Sequence, residues 1–246
     1  MHIQEYIPDP NKSAQENQQE HDFYTNKLNN IMGETKKMPS VTIYNENDDL
    51  WFHFKIPDEE MRTFYYDVVF VFYPNSKSDI DSPDIYGYDV KFFSNDPGFM
   101  YKYCYEFNKS KLIVDPLKTR LSSRALTEPA KVMNPNHELR YPKTIFFAYL
   151  VMENLGLFQK KNIQAHGVTK LTRSFFVQSI QSSVTIYNKR QTRDKTTKGI
   201  NKLVNNITKP IEDMGNKITK KVSAIGQTKL ICSSKRTSTS KKVKRK

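Results

Sequence analysis

Asp67, Asp89 and Lys91 are the residues of this chain whose types and spacing point most directly to chemistry. An acid on one strand and an acid–spacer–lysine on the next is the edge on which many metal-dependent nucleases are built. The two carboxylates would hold Mg²⁺ against the scissile phosphate, and the lysine would help activate the attacking water. The spacing of 22 between Asp67 and Asp89 suits adjacent antiparallel strands, and Glu60 would add a further carboxylate. The same residues have a plainer meaning. Asp89 and Lys91 are two apart on a strand, so they share a face, and a solvated polar face needs no catalytic explanation. Asp67 opens its strand, where a carboxylate in water is ordinary. No catalytic residue is therefore assigned, and a metal-dependent nuclease is the alternative reading.

Other chemistry-bearing groups give less. Asp79, Asp81 and Asp84 in "DIDSPD" supply carboxylates but lack the glycine and distal glutamate of an EF-hand loop, so they read as an acidic surface loop. The histidines at 2, 21, 53, 137 and 166 are scattered, with none at ligand spacing or beside a nucleophile. Only 8 glycines occur and none forms a phosphate-cradling loop, which argues against nucleotide hydrolysis. The two cysteines, Cys104 and Cys232, form no metal motif and read as free thiols. The tyrosines of "MYKYCYEF" interleave with lysine as a base-stacking platform would, but on a helix about half must face the core. No metal or cofactor is expected.

The elements that would position these residues lie between 40 and 158. "SVTIYNENDDLWFHFKIP" reads as two strands joined by an Asn/Asp turn, with Trp51, His53 and Lys55 alternating against Phe52 and Phe54. "TFYYDVVFVFYP" suits a strand buried on both faces, and "YGYDVKFF" is the next strand. Ser94 to Asp96 offer a cap for a helix through "PGFMYKYCYEFNK". "YPKTIFFAYLVMENLGLF" reads as a buried helix with Pro142 at its start and Gly156 at its end. Residues 1 to 39 are polar and read as an extended or loosely helical leader. No apolar run approaches the roughly 20 residues of a membrane span, and the first 20 residues contain no signal-like apolar region.

Charge divides the chain. Residues 1 to 158 hold 17 Lys/Arg and 23 Asp/Glu, whereas residues 159 to 246 hold 22 Lys/Arg and 3 Asp/Glu. An acidic, aromatic body thus carries a basic arm, and such arms neutralise phosphates without reading sequence. Its candidate nucleic-acid contacts are Lys189, Arg190, Arg193, Lys195, Lys198, Lys235, Arg236, Lys241, Lys242, Lys244, Arg245 and Lys246. Between about 200 and 225, Ile200, Leu203, Ile207, Ile211, Met214, Ile218, Val222 and Ile225 recur at spacings of three and four, the stripe of an amphipathic helix whose apolar face would dock on the acidic body, on a partner or second copy, or on a membrane surface, with deep insertion opposed by its Asn and Thr content and its lack of Trp and Phe. Pro210 would kink it. The stretch from about 233 to 246 is a low-complexity basic tail.

"DVKFFSNDPGFMYKYCYEFNKSKLIVDPL" followed by "NPNHELRYPKTIFFAYLVMENLGL" resembles conserved proteins of tailed phages that infect low-GC bacteria. The resemblance lies within residues 64 to 158 and carries no catalytic motif. It implies a virion protein, found in the particle or in the host cytoplasm during assembly. The sequence therefore predicts an α+β body over 40–158, with a mostly antiparallel sheet and two packed helices, followed by a basic, partly helical arm over 159–246. The expected role is structural and non-enzymatic, with the arm contacting nucleic acid or an assembly partner. A host-directed protein-binding module is a further alternative.

Overall fold

The computed structural model describes residues 2–5, 7–59 and 64–202. In chain order the elements are α1 (Ala14–Thr35), β1 (Ser40–Glu46), β2 (Asp49–Pro57), β3 (Tyr65–Tyr73), α2 (Lys77–Asp81), β4 (Asp89–Ser94), α3 (Cys104–Lys109), α4 (Ser123–Thr127), α5 (Lys143–Asn154), α6 (Lys160–His166), β5 (Val168–Lys170) and α7 (Arg173–Ser179). The five strands form one sheet in the order β4-β3-β2-β1-β5, antiparallel except for the β1–β5 pair. The fold is α+β with a mostly antiparallel sheet, as the alternation predicts.

The β1–β2 hairpin turns on Asn47 and Asp48, both with left-handed backbone (φ 51° and 68°). Two such residues match the twist of the flanking strands, and Asn and Asp tolerate this conformation better than other non-glycine residues. Gly156 ends α5 in the same region (φ 62°), which keeps the carbonyls of the last turn bonded. Along β3, residues 66 to 72 are all buried, so both faces of the strand are covered. On one face, Phe92 of β4 meets Phe107 of α3 at 6.0 Å, and Ser94 Oγ lies 3.2 Å from Thr144 Oγ1 at the start of α5. On the other, Phe176 of α7 packs edge-on against Tyr44, Trp51 and His53, with ring centroids 5.3–5.7 Å apart.

Two boundaries differ from the sequence expectation. Residues 1 to 39 are not a loose leader. Ser13 and Glu16 close a reciprocal capping box that starts the 22-residue α1. Leu28 and Ile31 of α1 are buried, Tyr24 packs 4.7 Å from Phe146 of α5, and Ile3 and Ile7 are buried upstream. Nor does the body stop at Phe158. The first compact unit runs from Met1 to Lys189 and the second from Arg190 to Lys246. Beyond Phe158, Ile163, Leu171, Phe176, Ile180 and Ile186 enter the core, and β5 pairs with β1. The charge break at Gln159 marks where acidic residues thin out on the surface, which is a different property from burial.

Residues 183 to 189 are helical at the end of the first unit, and residues 190 to 202 of the second unit are helical. Most of the apolar stripe (203 to 225) and all of the tail (233 to 246) lie outside the described residues. No helix among the described residues is long and apolar enough to cross a membrane.

Candidate functional site

Antiparallel registry gathers one polar cluster inside the sheet. Lys55 of β2 stands directly opposite Asp67 of β3, and His53 lies two residues along on the same face. Asp67 Oδ1 accepts a hydrogen bond from His53 Nε2 at 2.8 Å and a second from Lys55 Nζ. Oδ2 accepts from Asn95 Nδ2 at 2.8 Å, while the Asp67 backbone N–H donates to Asn95 Oδ1 at 2.9 Å. An ionised carboxylate can only accept, so the His53 proton facing it sits on Nε2.

Asp67 is only 2% exposed and His53 7%. Burial by itself would push the Asp67 carboxyl up. The hydrogen bond and charge of His53, then those of Lys55, outweigh it and hold the group below the ordinary carboxylate range. The cluster is closed from outside: Phe176 covers the imidazole edge-on, and Asn95 Nδ2 also donates to the Gln181 carbonyl at 3.3 Å. A buried acid with its lone pairs filled is a tie between strands and the segment that covers them. The expectation that Asp67 is a solvated carboxylate is thereby corrected. The missed signal was parity: His53 and Lys55 share a strand face, and the β2–β3 pairing brings that face onto Asp67.

The three nuclease candidates do not converge. Asp89 pairs with Tyr73 and Lys91 with Val71, whereas Asp67 lies six residues from Tyr73 along β3. At about 3.3 Å per residue the two acids stand about 20 Å apart along the sheet, far beyond the reach of one metal ion. Lys91 Nζ instead binds Asp115 Oδ2 at 2.7 Å and lies 5.5 Å from the Tyr73 ring centre. Glu60 lies outside the described residues. Among the described residues, no group of three His, Cys, Asp or Glu is placed to hold a metal. In the acidic loop, Asp79 closes the capping box of α2 with Ser76, and Asp84 Oδ1 accepts from the Tyr86 N–H at 3.2 Å, so both carboxylates serve local turns.

The basic candidates fall differently. Lys189 ends the first unit and is exposed, Arg190 is half-buried, and residues 191 to 202 are exposed on every side of their helix. Arg193, Lys195, Lys198 and Lys202 thus project from one solvated helical segment. Lys235, Arg236, Lys241, Lys242, Lys244, Arg245 and Lys246 lie outside the described residues. Of the docking stripe only Ile200 is described, 54% exposed, while Leu203, Ile207, Ile211, Met214, Ile218, Val222 and Ile225 are not.

The unit boundary also divides the charge. Residues 1 to 189 hold 22 Lys/Arg and 23 Asp/Glu, so the first unit is almost neutral at −1. Residues 190 to 246 hold 17 Lys/Arg and 3 Asp/Glu, a balance of +14 that more than accounts for the chain's +13. No family model, curated protein or solved structure matches the chain.

Proposed function

We propose that this chain is a non-enzymatic structural protein that associates with nucleic acid through its basic C-terminal unit, as a component of a phage-type virion. The observation that carries the reading is how the charge divides between the two compact units. The unit that ends at Lys189 is almost neutral at −1, and the unit from Arg190 to Lys246 carries +14. A balance of +14 over 57 residues makes a polyanion-seeking segment, and lysine and arginine at that density bind phosphates with little regard to base sequence. The virion assignment draws on the resemblance of residues 64 to 158 to tailed-phage proteins. It places the protein in the particle, or in the host cytoplasm during assembly, with other virion subunits or further copies of itself as protein partners.

The separation of Asp67 from Asp89 supports binding over cleavage. The test is incubation of the full chain with plasmid DNA and Mg²⁺, read on a gel. Retarded but intact plasmid is expected. Mg²⁺-dependent nicking would overturn the non-enzymatic reading, and an unshifted plasmid at low salt would overturn the nucleic-acid reading.

A further inference from the structure

We infer that the helical segment 190–202 presents a lysine face to the sugar–phosphate backbone of duplex nucleic acid. The inference rests on the nucleic-acid reading above and adds to it where the contact is made and to what form of nucleic acid. In a helix each residue advances about 100° around the axis, so residues three and four apart share a side. Lys195, Lys198 and Lys202 are spaced by three and four, with Gln191 four residues before Lys195. They form one face that spans about 10 Å between Lys195 and Lys202 at about 1.5 Å rise per residue. All three lysines are exposed, and none forms an ion pair with another described residue. Ile200 falls on the opposite side of the helix.

Side-chain chemistry selects the partner. From 190 to 199 the segment reads "RQTRDKTTKG", without an aliphatic or aromatic side chain. Protein interfaces are anchored chiefly by buried tryptophan, tyrosine and arginine; the segment has no aromatic side chain, and Arg190 and Arg193 fall away from the lysine face. Single-stranded nucleic acid is held by aromatic side chains on which bases stack, and residues 190 to 202 contain none. What remains on this face is charge with the amide of Gln191, which is the kind of set that contacts backbone phosphates. A duplex carries about one negative charge per 1.7 Å of its axis, so a 10 Å face meets several phosphates at once.

The experiment measures affinity against salt for a random-sequence 30-base-pair DNA duplex and for a single strand of equal length. Three full-length chains are compared: the parent, the triple change Lys195→Gln, Lys198→Gln and Lys202→Gln, and a tail variant with Lys241, Lys242, Lys244 and Lys246 all changed to Gln. Glutamine keeps helix propensity close to that of lysine, and circular dichroism confirms that helix content is unchanged. The triple change should flatten the duplex slope of log affinity against log salt by about 2 to 3, at about 0.9 for each phosphate that is no longer neutralised. It should flatten the single-strand slope by less. If only the tail variant flattens the slope, the lysine face does not touch the duplex and the nucleic-acid reading survives. If neither variant changes it, the lysine face does not touch the duplex, and only a parent without a salt-dependent slope overturns the nucleic-acid reading as well. If the triple change affects both substrates equally and the single strand binds as tightly as the duplex, the duplex assignment is overturned.

Discussion

The imidazole of His53 and the carboxylate of Asp67 meet at 2.8 Å across the β2–β3 pair, both buried, with Lys55 bonded to the same oxygen. Removing one member of a buried charged set leaves the others uncompensated, and the cost follows their exposure. Asp67→Ala strands the buried imidazole N–H and the Asn95 amide, and should cost about 3–5 kcal/mol. Lys55→Met should cost far less, on the order of 1 kcal/mol, because that side chain is 43% exposed and water replaces the bond. Urea unfolding of both variants checks the ranking. Equal losses would mean that the network is not centred on Asp67.

The acid limb of stability should carry the mark of the same carboxyl. Its folded value is lowered from the ordinary 3.8, because the His53 and Lys55 contacts outweigh burial. A lowered folded value stabilises the protein above the unfolded value and loses that contribution as pH falls through the folded one. The stability difference between parent and Asp67→Ala should therefore be level from neutral pH down to about 4 and shrink below it. A difference that is already shrinking at pH 6 would point to another group.

Asp49 shifts the other way. Partial burial, then Glu46 directly across the hairpin and Asp48 beside it, push its carboxyl up to about 6, although Arg173 partly offsets them. A raised acid is held as an unfavourable anion in the folded protein, so stability falls as pH rises from 3.8 through about 6. Asp49→Asn should raise stability at pH 7 and leave it unchanged near pH 3. The turn is partly solvated, so the gain should be on the order of 1 kcal/mol after screening. Thermal melts of parent and variant at pH 3, 5 and 7 read it. A variant less stable at pH 7 would show that the Arg173 contact outweighs the repulsion.

How much of this was legible in the sequence depends on the range over which each signal acts. Strand alternation is local, and it placed Phe52 and Phe54 opposite Trp51, His53 and Lys55 without reference to any other element. The turn at Asn47 and Asp48 and the end of α5 at Gly156 were readable for the same reason, because φ > 0 selects those residue types. The closing of the cluster was not readable, since Phe176 reaches His53 from 123 residues away and nothing in its own neighbourhood announces a lid over β2. α1 was misjudged because its composition is polar, yet "SAQE" at 13 to 16 carried the capping-box signature. For the candidate site the failure was one of inference: charge marked a basic C-terminal stretch but set its start at Gln159 rather than at the unit boundary after Lys189, and a motif of three residues suggested a metal edge that strand register pulls apart.

Cys104 is a further check on the core. Burial pushes its thiol up to about 12, so at pH 8 almost none is thiolate. In a Cys232→Ser background the remaining thiol should react with a disulfide reagent only as fast as the protein opens. Rapid labelling under native conditions would contradict the packing of α3 on the sheet.

The last prediction concerns where the chain can be cut. Ending it at Phe158 removes Ile163, Leu171, Phe176, Ile180 and Ile186, all buried, together with β5. Loss of a buried phenylalanine alone costs about 3–5 kcal/mol and of a buried leucine or isoleucine about 2–5, so the five together come to roughly 11–25 kcal/mol, as large as the 5–15 kcal/mol by which domains are typically stable. It also uncovers Trp51 and the His53–Asp67 pair and breaks the bond from Arg120 Nε to the Val177 carbonyl. A chain of residues 1–158 should therefore lose its cooperative melt. A chain of residues 1–189 keeps every one of those groups and should melt cooperatively near the parent temperature. With its balance of −1 it should also lose the salt-dependent retardation of DNA. Cooperative melting of 1–158 would return the boundary to the charge break, and undiminished DNA binding by 1–189 would place the phosphate contacts in the first unit.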